Sequence, residues 1–197
     1  MSAESWPPKG LAGAVRAAAA GSGWQAWSGT LTRVEGALAF HVYEFAARAW
    51  FLAKPVAWDE ALWRVAGWAH PAKRSVSFHF RGLSVRVPAM SSVKLDGEAV
   101  EGIAAQMVAF ATREFEAFDP DFDFSVPAMA LRDVAGRGPD DFVVTEMIWH
   151  LAEGRPAQAG AIADDVIAGR RVSAFNMGTG QANVFELVQR AVAQGEV

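Results

Sequence analysis

The segment from Ser75 to Pro88, SVSFHFRGLSVRVP, constrains the fold more than any other stretch. Val76, Phe78 and Phe80 alternate with Ser77, His79 and Arg81, and after Gly82 the alternation resumes as Leu83, Val85 and Val87 against Ser84 and Arg86. A period of two means extended chain with one apolar and one polar face. The parity changes at Gly82, which calls for a tight turn or a bulge. A turn at Arg81–Gly82 sets Phe80 against Leu83 and Phe78 against Val85, giving one continuous apolar face. Such a half-buried antiparallel hairpin is the expected unit of an α+β sheet.

A second hairpin is expected over 28–43, where SGTLTRV and ALAFHVY flank a Glu35–Gly36 connector. Val34 then pairs with Ala37 and Leu31 with Phe40, so Leu31, Leu38 and Phe40 share a face. A competing reading extends the next helix back through Ala37. Helices are expected over 9–20, 44–54, 58–69 and 97–115. The first is barely amphipathic and reads as a loosely docked arm. The second rests on Val42, Phe45, Ala46, Ala49 and Ala53 at a spacing of three to four, with Pro55 as its stop. The third carries Leu62, Val65, Ala66 and Ala69 on one stripe, with Asp59 and Glu60 in its first turn, where the helix dipole favours negative charge. The fourth carries Val100, Ile103, Ala104, Met107, Ala111 and Phe115, with Asp96 as its N-cap. Residues 118–139 are rich in Asp, Pro and Gly and read as a long connector that Phe118, Phe122 and Phe124 pin to the body. Helices then follow over 141–152 with Asp140 as cap, 156–168 with Pro first and Gly169 last, and 182–194 with Asn183 and Glu186 at capping-box spacing. A short strand, 172–176, precedes the last of them.

The expected architecture is α+β: a small antiparallel sheet built from hairpins, packed by several helices, with a helical C-terminal third. Residues 1–197 read as one domain, with a candidate sub-boundary in the connector and a mainly helical part over 140–197. At 197 residues, 52% hydrophobic and 20% charged, the chain can bury a core without a disulfide or a metal. It has no cysteine, which removes thiolate zinc sites, iron–sulfur clusters and cysteine nucleophiles. Net charge is −4, and basic residues are never adjacent beyond the pairs Lys73–Arg74 and Arg170–Arg171. Nucleic-acid binding leaves a basic patch or stripe, so it is not expected. MSAESWPPKG has no secretory-signal pattern, and the longest apolar stretch, 46–58, is interrupted by Arg48, Lys54 and Pro55. A cytoplasmic, membrane-free protein is expected, and heavy use of Ala, Gly, Val and Arg points to a bacterial source.

Two clusters offer chemistry. Glu146 and His150 lie four apart on an expected helix, and His41 and Glu44 lie three apart at an expected strand–helix junction. Together they form a two-His, two-Glu set of the kind that holds a hydrolytic metal, without matching a full ligand motif. The bland readings are a surface ion pair for Glu146–His150 and a strand-edge position for His41. The second cluster is aromatic. Eight tryptophans occur, and Trp50, Trp58, Trp63 and Trp68 crowd together. Trp63 falls off the Leu62–Val65–Ala66 stripe, so a groove near Trp63, Trp68 and His70, flanked by His79, Arg81 and Arg86, is a candidate binding surface. Asp119, Asp121 and Asp123 mimic the opening of a calcium loop, but Phe124 and Ala130 stand where that loop needs Gly and Glu. There is no G-x-S-x-G elbow and no phosphate loop.

Phe175-Asn176-Met177-Gly178-Thr179-Gly180, followed by Val184-Phe185-Glu186-Leu187-Val188, resembles a stretch near the C-terminus of nucleotide-sugar epimerases of the extended short-chain dehydrogenase type. The segment from His41 to Ala49 resembles another part of that family. The likeness would imply a dinucleotide-dependent enzyme. Yet Tyr43 is the only tyrosine, Ala47 stands where the family's Y-x-x-x-K has lysine, and Gly10 to Gly13 follow Pro7–Pro8 instead of a strand. The likeness is therefore local, and no cofactor is expected. The leading expectation is a non-catalytic module that binds a protein partner or a small apolar ligand, with a homodimer as a candidate state. The alternative is a metal-dependent hydrolase.

Overall fold

The computed structural model describes residues 7–67, 85–97, 99–125, 142–173 and 183–197. The hairpin expected over 75–88 lies outside them up to Ser84, as do Trp68, His70, His79, Arg81, Asp140 and most of the strand expected over 172–176. The chain divides into two compact units, one of residues 1–54 and 88–122, the other of 55–87 and 123–197. The class is α+β: a five-stranded antiparallel sheet and six helices among the described residues, with helices in the C-terminal part.

The first unit holds α1 (Leu11–Ala18), β1 (Gln25–Trp27), β2 (Thr30–Glu35), β3 (Leu38–Phe45), β4 (Arg48–Pro55), β5 (Ser91–Lys94) and α3 (Val100–Glu116). The strands lie side by side in sequence order. Between β2 and β3 the turn is Gly36–Ala37, because Glu35 pairs with Leu38 and Leu31 with Val42. Gly36 supplies the positive φ (56°) that the first central position of such a turn demands. This register differs by two places from the expected one, so parity is kept and Leu31, Leu38 and Phe40 still share a face.

The helix expected over 44–54 is absent. That stretch ends β3, turns at Ala46–Ala47 and forms β4. Ala46 and Ala47 adopt φ of 52° and 58°, the signature of a type I′ turn, which matches the twist of the flanking strands. Alanine fits a helical stripe and a strand equally, and Tyr43, Phe45, Trp50 and Phe51 favour the strand. β5 carries no alternating apolar pattern and was not foreseen.

Phe40 fixes which face of the sheet points inward. Its ring lies 5.0 Å from Phe115 and 5.2 Å from Phe118, both edge-on, and 6.0 Å from Phe51. α3 therefore covers the face bearing Leu31, Phe40, Val42, Ala49 and Phe51. The Ser91 hydroxyl donates to Glu114 of α3 at 2.6 Å. Ile103, Ala104, Met107, Phe110 and Ala111 are its buried residues. Asp96 does not cap this helix. The N-cap is Ala99, in extended conformation, and Asp96 instead exchanges two backbone–side-chain hydrogen bonds with Gln106. α1 is not a loose arm. Leu11, Val15 and Ala19, spaced by four, are buried, and the helix packs on α3.

The second unit holds α2 (Val56–Val65), α4 (Val143–Ala152), α5 (Pro156–Ile167) and α6 (Val184–Gln194). Pro55 ends β4 and becomes the N-cap of α2. Trp58, Leu62 and Val65 of α2 join Val143, Met147 and Ile148 of α4, Ile162 of α5, and Val184 and Val188 of α6 in one core. Phe124 packs edge-on against Trp58 at 5.9 Å. The capping box on α6 is formed: the Glu186 N–H donates to Asn183 Oδ1 at 2.9 Å, and the Asn183 N–H donates to Glu186 Oε2 at 3.1 Å.

Left-handed backbone costs an alanine about 1 kcal/mol or more, and Asn-Gly is the preferred type I′ pair. Replacing Ala46 with Asn and Ala47 with Gly should raise the unfolding free energy by about 1 kcal/mol in urea denaturation, with an unchanged denaturant slope.

Candidate functional site

α4 brings Glu146 and His150 together on one helix, and both are buried, so the pair is not a surface ion pair. Glu146 pairs instead with Arg171 at 2.7 Å, with side-chain exposures of 3% and 24%. His150 lies against the Trp149 ring at 4.7 Å, and the Arg155 guanidinium stacks over the same indole at 4.1 Å. Two buried polar groups nearby, Thr145 and Asp59, bond to the backbone. The Thr145 hydroxyl donates to the Arg86 carbonyl, and the buried Asp59 carboxylate accepts from the Val85 N–H at 2.9 Å.

His41 and Glu44 are not at a strand–helix junction. Both lie in β3, three residues apart, and so project from opposite faces of the sheet. They belong to the first unit, Glu146 and His150 to the second. Among the described residues no group of three or more His, Asp or Glu side chains is placed to hold a metal ion. Asp119 and Asp123 each accept a backbone N–H two residues on, at 2.9 Å, from Asp121 and Ser125. They brace their own loop.

Of the six residues expected to form the aromatic groove, Trp63 and Arg86 are described. Arg86 is exposed, but Trp63 is 2% exposed and lines no surface. A residue that misses one helical stripe can still be covered by a second layer, and periodicity within one helix does not carry that information.

The exposed aromatic residues lie elsewhere, on the second face of the sheet. Phe40 and Phe51 point at α3, so alternation sends His41, Tyr43 and Phe45 of β3, and Arg48, Trp50 and Leu52 of β4, to the other side. Register then aligns them. Trp27 pairs with Thr30, and Trp50 pairs with Ser92. The β2–β3 register continued by one pair sets Thr30 beside Tyr43, and the two-residue Ala46–Ala47 turn sets Tyr43 beside Trp50. One row, Trp27–Thr30–Tyr43–Trp50–Ser92, thus crosses all five strands, a span of about 19 Å at the usual strand spacing. A shorter row, Phe45–Arg48–Lys94, lies nearer the turn.

This face divides along its length. Thr32, Ala39, His41, Leu52 and Lys54 are buried. Toward the turn, Trp27 is 58% and Phe45 66% exposed, while Tyr43, Arg48 and Trp50 are partly covered. His41 and Tyr43 stack at 5.7 Å, and burial pushes the Tyr43 phenol above its ordinary pKa. The Trp50 indole N–H donates to the Phe45 carbonyl at 3.3 Å. Arg48 lies over the Trp50 ring at 5.6 Å and donates to the Ser92 hydroxyl at 2.9 Å. Glu44 points the other way. Burial raises its pKa, and a hydrogen bond from the Ala47 N–H opposes that shift. Alternation places all of these residues, but only once 44–54 is read as strand.

No family model, curated protein or solved structure matches this chain. Among the described residues no helix is long and apolar enough to cross a membrane.

Removing Arg171 leaves the Glu146 carboxylate buried without that cation. Arg171→Ala should therefore lower the unfolding free energy by about 2 kcal/mol, less than the ~3–5 kcal/mol of a fully enclosed pair because Arg171 keeps part of its surface in water. Arg170→Ala, which breaks the exposed pair with Asp165, should cost under about 1 kcal/mol in the same denaturant titration. Glu44 generates a pH dependence of opposite sense to most carboxylates. With its folded pKa above the ordinary 4.5, the folded state holds the proton longer, so its contribution to stability is lost as pH rises from that value. Glu44→Gln should melt above the wild type at neutral pH, and the gap should close below about pH 4.

Proposed function

We propose that this chain is a cytoplasmic, non-catalytic binding protein that engages a protein partner through the open half of the sheet's second face. The observation that carries this reading is the exposure of Trp27 and Phe45 on the same sheet face as Tyr43, Trp50 and Arg48. Exposed apolar residues scattered singly need no explanation, but a contiguous aromatic patch on regular structure does. Trp, Tyr and Arg are the residues enriched at interface hot spots, where stiff rings bury much area at small entropic cost. Small-molecule sites are concave and enclose most of their ligand. An open sheet face suits a protein surface better than a small apolar ligand.

The test compares the 197-residue chain with a Trp27→Ala/Phe45→Ala variant as bait in a lysate of the native host. Both side chains are largely in water, so each truncation should change stability by no more than about 0.5 kcal/mol, which thermal melts would confirm. A protein retained by the wild type and lost from the variant supports the reading, and identical captured sets would end it. Sedimentation velocity of the isolated chain separates a second copy from a different partner.

A further inference from the structure

We infer that the partner segment docking on this face is acidic, with Arg48 as its anchor; the inference rests on the binding reading above. The sheet sorts its carboxylates by face. Among the described strands the carboxylates, Glu35 and Glu44, fall by alternation on the side that α3 covers, where Arg33 pairs with Glu35. The second face carries His41, Arg48, Lys54 and Lys94, and no strand residue on it is Asp or Glu. This sorting occurs in a protein of net charge −4, so the open half presents Arg48 among aromatic rings on an acidic molecule. Long-range steering would turn acidic partners away, and an acidic segment would be held only by local contact.

Arg48 is the cation left to supply that contact. Lys94 spends its charge on Asp96 at 2.6 Å, and His41 and Lys54 are buried. Arg48 has no carboxylate partner among the described residues. Its Nε and one terminal nitrogen both reach the Ser92 hydroxyl, at 3.3 and 2.9 Å, and the indole of Trp50 supports it. Two anchor points hold the planar fork in place, and such a fork matches a carboxylate in bidentate fashion. Phe45 stands beside it in the same row, so an acidic residue flanked by an apolar or aromatic one fits both.

The probe is a random copolymer of glutamate and tyrosine, titrated into the full chain and followed by tryptophan fluorescence. A lysine–tyrosine copolymer and an oligothymidylate serve as counter-probes. The glutamate copolymer should bind best and weaken as salt rises. Arg48→Gln should reduce its affinity by about tenfold, the scale of one lost charge-assisted contact, and Arg48→Lys should recover part of the loss. The Trp27→Ala/Phe45→Ala variant should lose binding of every probe. If the lysine copolymer binds as well as the glutamate copolymer, and that variant loses both, the acidic assignment falls while the aromatic docking face stands. If no copolymer binds, or if Arg48→Gln leaves affinity unchanged, the inference is overturned. Tighter, Arg48-dependent binding of oligothymidylate would overturn it in favour of a nucleic-acid strand.

Discussion

The ring cluster at Phe40 is the constraint on which the first unit depends. Phe40, Phe51, Phe115 and Phe118 come from two strands, the last turn of α3 and the chain just beyond it. Edge-to-face aromatic contacts add about 0.5–1.5 kcal/mol each to what burial already provides. They also settle orientation. Once Phe40 and Phe51 point at α3, a strand period of two leaves Tyr43, Phe45, Arg48 and Trp50 no choice of side. The position of this aromatic surface is thus a by-product of core packing.

The second unit is organised around α4. Nine of its ten residues are buried, so its polar side chains must be answered inside the protein. Glu146 has Arg171, Thr145 has a backbone carbonyl, and on α2 Asp59 takes a backbone N–H. These groups tie α2 and α4 to the chain at 85–86 and to the residues after α5. The histidine and carboxylate of the sequence VVTEMIWHLA therefore sit among the structural contacts of a core helix.

Much of this fold is legible in the sequence where local signals act alone. Asn183 and Glu186 announce a helix start, Pro156 and Gly169 bracket a helix, and Phe118, Phe122 and Phe124 mark a connector tied down by rings. The β2–β3 hairpin is legible in its faces but displaced in register, because Glu35–Gly36 and Gly36–Ala37 are equally short and only the backbone decides between them. Residues 44–54 are misread for a definite reason. Alanine at 46, 47, 49 and 53 satisfies a helical spacing, and an Ala-Ala pair carries none of the Asn or Gly that usually marks a type I′ turn. That one error hides the aromatic face, since a helix there would scatter Phe45, Arg48 and Trp50 around its axis. Trp63 fails differently. Its burial depends on a second layer of structure that no single-helix pattern encodes.

The chain passes between its two units at residues 54–55, 87–88 and 122–123. This interleaving gives synthesis a rhythm. The sheet unit has all its parts once residue 122 has left the ribosome. α2 is made much earlier, at 56–65, yet among the described residues the other helices that share its core begin at Val143. At about 5–20 residues per second in translation, Val85 and Phe124 are made first, and α2 waits on the order of ten seconds for α4. During that interval the nascent chain carries a helix whose core is incomplete, and the pace of the ribosome between codons 66 and 143 becomes part of the conditions under which the protein folds.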